Sequence, residues 1–177
     1  SADRFLEVLL DLWEHDLLSD AHERHHAFHL RIGYGRQYAG YVVAGGQLGS
    51  AATRRFERLQ STFVGKLMLL EALNHQPWRQ QDGAQMVALA RSAERLIPPE
   101  ANVQSRAVFK EFSARSYMRA GDPGTAERLF VESFEVFPVE RNTSICGLHK
   151  LFASGPHRPD PGADAASLLS RFPNPSC

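Results

Sequence analysis

"ARSYMRAGDPGTAERLFVESFEVFP", residues 114–138, contains two helical stretches with a breaker between them. The first belongs to a helix predicted over about 102–120 and stopped by "GDPG" at 121–124. The second runs from about 124 to 136 and ends at Pro138. Glycine frees the backbone for a tight turn, whereas proline lacks the amide hydrogen and the room to continue a helix. Two helices joined so closely return alongside each other, so the stretch predicts a helical hairpin.

The flanking segments read the same way. Upstream, Met86, Leu89, Ala93 and Leu96 form one stripe, Asp82 is placed to cap it, and the prolines at 98–99 stop it. "NHQPWRQQDG" (74–83) is a loop, and before it Phe56, Leu59, Phe63, Leu67 and Leu70 recur at helical steps. Asp20 and Glu23 have capping-box spacing for a helix through Phe28, Ile32, Tyr38 and Val42. Phe5, Leu9, Leu12 and Trp13 mark the first helix. Downstream, "NTSICGLHKLFA" (142–153) is a short helix, and "SLLSRF" either docks as a final turn or stays disordered. No segment alternates as a strand does. The expectation is an all-α fold of about seven helices, with one helical domain over 1–153 and a loose Pro/Gly-rich tail over 154–177.

Ala114, Tyr117, Gly121, Ala126, Phe130 and Pro138 fall at the spacings of a tetratricopeptide repeat, which this segment resembles. Small Ala114 and Ala126 let two helices approach, while Tyr117 and Phe130 fill the space around the pair. Lys110 and Ser133 depart from the family, standing where an aromatic and a small apolar residue are usual. A degenerate second-helix half ends at Pro98, forty residues before Pro138, against a standard repeat of about 34. The resemblance implies antiparallel helical hairpins stacked over 53–153, beside an N-terminal helical pair. It also implies a groove for a protein or peptide partner, lined by Val108, Glu111, Arg115, Met118 and Arg119. Exposed apolar end faces of such a stack make self-association an expectation. The functional reading is a non-catalytic adaptor or scaffold module without a cofactor.

Composition narrows the alternatives. Lys plus Arg number 20 and so do Asp plus Glu, which supplies no global pull toward nucleic acid or anionic membrane. No apolar run approaches the roughly 20 residues that span a bilayer. The opening "SADRFLEVLLDLWEH" has acids within its apolar stretch, unlike a signal peptide, and its missing initiator Met suits a processed form or an excised domain. Two cysteines, Cys146 and Cys177, are too few for a disulfide framework, so a reducing, cytoplasmic setting is the default.

"DAHERHHAFHLR" (20–31) poses the rival reading. His22, His25, His26 and His29 fall within an arc of about 100°, and His22/His26 and His25/His29 are each one turn apart. In a zinc peptidase, which His22-Glu23-Arg24-His25-His26 resembles, His22 and His26 would bind zinc and Glu23 would activate water. The extended motif fails, because His29 stands at its glycine and Ile32 at its last histidine. The His-rich run therefore reads as a solvated or packing helix face, with metal binding by His22, His25, His26 and His29 or pH sensing as one alternative and zinc-dependent hydrolysis as another. A further alternative is RNA binding through Tyr34, Tyr38 and Tyr41 beside Arg31 and Arg36, which charge neutrality disfavours. Cys146 and His149 have ligand spacing without a second pair, and read as a buried cysteine and a surface histidine.

Overall fold

A computed structural model describes residues 61–139, 142–153, 160–173 and 175. The expected N-terminal helical pair, the histidine cluster and the Arg/Tyr-rich segment lie outside these residues. The described part is all-α, with six helices, one 3-10 turn and no strand among the described residues. It falls into two compact units, one holding 61–76 and 92–96 and the other holding 77–91 and 97 onward.

In the first unit, α1 covers Phe63–His75. Its start differs from the apolar periodicity, which continues back through Phe56. Thr62 takes an extended conformation and its Oγ1 accepts the Gly65 amide at 3.0 Å, ending the helix there. A β-branched hydroxyl that satisfies an orphan amide is a helix start whatever apolar pattern precedes it. At the other end Gln76 is extended, as the residue before Pro77 tends to be. Phe63, Leu67, Met68, Leu69, Leu70 and Glu71 are all buried.

The second unit opens with a 3-10 turn, Trp78–Gln80, and holds α2, Gly83–Glu94, as far as Arg91. Asp82 caps α2 as expected, its Oδ1 accepting the amides of Ala84 at 3.0 Å and Gln85 at 3.1 Å. The buried stripe is Met86, Ala90 and Ala93, while Leu96 is 39% exposed. The helix stops at Glu94, so the periodicity carried to Leu96 has no helix beneath it.

α3 (Val103–Arg119) and α4 (Pro123–Val136) are the predicted hairpin. Asn102 accepts the Ser105 amide at 2.7 Å to start α3. The Arg106 guanidinium donates to the carbonyls of Pro98, Pro99 and Ala101, tying the preceding loop to the helix. At the far end Gly121 has φ +83°, the left-handed region that favours glycine. The amides of Gly121 and Asp122 donate back to Met118 and Tyr117, which makes a Schellman turn. Asp122 then caps α4 through the Thr125 amide, with Pro123 at the first helical position. Capping and the beginning of a new helix are thus packed into four residues. The helices run antiparallel, with the Ser133 hydroxyl donating to the Ala107 carbonyl at 2.8 Å and Lys110 reaching Glu132 at 2.5 Å.

α5 (Ser144–Ala153) packs on α3 and α4. Asn142 joins it to α4, since its Nδ2 donates to the carbonyls of Ser133 and Phe137 and its Oδ1 accepts the Ser144 amide. "SLLSRF" takes the docked of its two expected forms, within a longer helix. Ala163–Arg171 forms α6, which packs on α4 and α5 with Ala165 and Leu168 buried. Its apolar residues lie on one side, so docking removes them from water despite the Pro/Gly-rich stretch before them. The core gathers Ala114, Ala126, Phe130, Phe134, Ile145 and Leu148 around Phe130, which is fully buried.

Glu132 faces Lys110 and Arg128. Burial raises its carboxyl pKa, but the hydrogen bonds and charges of those two cations outweigh burial and hold it below the ordinary value of 4.5. A depressed folded pKa contributes stability that is present above the unfolded value and lost as pH falls through the folded one. Glu132→Gln is therefore expected to cost under about 1 kcal/mol at neutral pH. The difference from the parent should shrink as pH drops below 4.5, as urea midpoints across the acid range would show. A gap that widens in acid would contradict this assignment.

Candidate functional site

The five residues expected to line a groove are not equivalent in the fold. Glu111 is 6% exposed. Its Oε1 accepts from Arg115 Nε at 3.0 Å and Nη2 at 2.6 Å, and its Oε2 accepts from Thr143 Oγ1 at 2.5 Å. Glu111 thus fastens α3 to the start of α5 and neutralises Arg115. A carboxylate with three donors already in place has little to offer a ligand. The Arg115 guanidinium also lies 5.8 Å from the Phe112 ring centroid. Val108, one turn before Glu111, is half-buried and keeps an accessible edge. Met118 packs against the core around Phe130.

Arg119 turns elsewhere. Its guanidinium sits 4.5 Å from the centroid of Trp78, and its Nε donates to the Gln81 carbonyl at 3.1 Å. Trp78 is 53% exposed, the second most exposed of the large apolar side chains described. Beside this pair is an open cleft of about 590 Å³, walled by residues 79–84 and by Arg119 and Ala120. Gly83 sets how closely its walls approach, because a Cβ there would meet the Ala120 backbone at 2.7 Å. Neither Trp78, which reads from the sequence as core or rim packing, nor Arg79 was expected at a site, since both sit in an unpatterned loop. Their only signal was an isolated aromatic–Arg pair between two helices.

Of the ligand-like pair in "CGLH", Cys146 is buried with its sulfur in a disulfide, which does not fit the reducing setting expected from so few cysteines, and the His149 Nε2 lies 2.7 Å from the Phe172 carbonyl. Both side chains are structural here. Among the described residues, no group of three or more His, Cys, Asp or Glu is arranged to hold a metal ion. No described helix is long and apolar enough to cross a membrane.

A regularity of the caps runs through both units. Thr62, Asn102 and Asn142 stand forty residues apart, and each accepts an amide at the start of a helix. Asp82 and Asp122 are likewise forty apart and cap α2 and α4, and Gly162 precedes α6 at the next step.

Fold and site together define an all-α protein with a periodic helical register and a cationic, aromatic-edged cleft. No protein-family model, curated protein or solved structure matches the chain.

Proposed function

We propose that this chain is a non-catalytic protein-interaction module of tetratricopeptide-like build, holding a peptide or protein partner on the accessible side of α3. The observation that carries the reading is the forty-residue recurrence of helix caps at 62, 102 and 142 and at 82 and 122. A chain that repeats its start signals in this way builds one helical pair after another, and such arrays present extended binding surfaces. The departures at Lys110 and Ser133 are consistent with it. An ion pair to Glu132 stands in for an aromatic contact, and a hydroxyl bonded to the Ala107 carbonyl occupies the small-residue position. The longer period leaves room for a segment such as Gln76–Asp82 between successive helices. Partner contact then falls to Val108 and to the outer edge of Arg115, with Glu111 and Met118 holding the surface in shape and Arg119 turned toward Trp78.

A photo-crosslinking residue placed at Val108 tests the reading in an extract of the source cells. A discrete adduct from position 108, competed away by unlabelled protein, is the expected result when exposed Glu135 on α4 serves as the control position. The same adducts from both positions, or none from 108, would remove the proposal.

A further inference from the structure

We infer that the cleft between the Trp78 turn and the end of α3 is a docking site for an acidic peptide segment, whose carboxylates pair with Arg119 and Arg79. The inference rests on the protein-interaction reading and adds the chemistry of the partner.

Arg119 is held ready for an anion. One face of its guanidinium is stacked on Trp78 and its Nε is committed to the Gln81 carbonyl. The two terminal nitrogens have no hydrogen-bond or ion-pair partner among the described residues. A free arginine side chain must lose about 2 kcal/mol of rotamer freedom to be fixed, and here much of that ordering precedes binding. Two parallel N–H groups at the end of a planar fork match a carboxylate.

Arg79 lines the same cleft, is exposed, and has no ion-pair partner among the described residues. On α3 and α4, Lys110, Arg115 and Arg128 are ion-paired, whereas Arg119 and the nearby Arg79 bring two guanidiniums to one hollow without an ion pair among the described residues. Asp82 is the one acid in the wall. Its Oδ1 is engaged by two amides of α2, which leaves it a capping role and reduces its competition for the arginines. The balance in the cleft is therefore cationic within a chain that is neutral overall.

Size separates a peptide from a small ion. An open cleft of about 590 Å³ offers room along its length for several side chains, more than a phosphate fills. The exposed edge of Trp78 adds an apolar contact of the kind enriched at protein interfaces. Arg119 covers one indole face, which leaves a base only the other for stacking of the sort that holds single-stranded RNA, whereas carboxylates meet the guanidinium itself.

The test uses Trp78 as its own reporter, in the full chain with the single other tryptophan changed, Trp13→Phe. A peptide of alternating Glu and Leu is titrated while indole emission is followed, with a Lys/Leu peptide, inorganic phosphate and oligouridine RNA in parallel. Saturable change with the Glu/Leu peptide alone is expected, weakening as salt rises. Arg119→Ala and Arg79→Ala should each weaken it about tenfold, the loss of one charge-assisted contact. Arg119→Lys should recover only part, since it keeps the charge without the fork. Arg171→Ala on α6 should leave it unaltered, and unchanged far-UV circular dichroism confirms that each variant folds. No saturable response, an equal response to RNA or to phosphate, or indifference to Arg119→Ala overturns the inference. A crosslink at Val108 together with a silent titration would sink this inference alone. A specific titration without that crosslink would sink the placement of the partner at Val108.

Discussion

Gly147→Ala should lower stability by about 1–3 kcal/mol, although alanine is the better helix former. Gly147 lies inside α5, where glycine costs roughly 1 kcal/mol relative to alanine, so propensity alone predicts a gain. The opposing effect is steric. A Cβ at this position would fall well inside van der Waals contact of Phe130 Cε1 and Cζ and 2.7 Å from Cδ1. Phe130 is fully buried among Ala114, Ala126, Leu129 and Leu148, so its ring has no open side to move into. Phe130→Ala by itself is expected to cost about 3–5 kcal/mol. In that background the sign reverses, and Gly147→Ala becomes neutral or mildly stabilising because the ring it would strike is gone. Urea unfolding of the four proteins in the cycle measures this directly. A Gly147→Ala midpoint equal to or above the parent's would show that α5 does not bear on Phe130 as described.

The second large effect concerns Glu111. Its replacement by alanine removes the acceptor shared by Arg115 and Thr143 and should destabilise the fold by about 1–3 kcal/mol. The cost stays below the 3–5 kcal/mol of a fully buried broken pair because the Arg115 side chain is 29% exposed and can rehydrate. Glu111→Gln keeps an acceptor for Thr143 and loses less. Thermal unfolding of both variants separates a fastening role from a binding role. Were Glu111 a direct partner contact, Glu111→Ala would leave the transition unmoved and abolish only the crosslink at Val108.

Much of the helical outline was legible in the residues. The "GDPG" turn, the Asp82 cap and the stops at Pro98 and Pro138 all act over a few residues, and they lie close to where the chain shows its breaks. The forty-residue recurrence was visible only as the distance between two prolines. Its fuller form uses Thr, Asn and Asp interchangeably as caps, and identity matching does not equate them. The groove was less legible. Val108, Glu111, Arg115, Met118 and Arg119 were chosen by position in the repeat, yet position does not say which neighbour covers each side chain.

The primary structure by itself determined that this chain is helical and where several helices begin and end, because caps, glycine turns and prolines satisfy or remove backbone hydrogen bonds locally. Only the tertiary structure decided that Glu111 fastens α3 to α5, that α6 docks, and that Arg119 leaves the expected groove for Trp78. Burial and ion pairing depend on residues brought from 32 to 41 positions away, as Thr143 is to Glu111 and Trp78 is to Arg119. Periodicity along one helix carries no record of such neighbours.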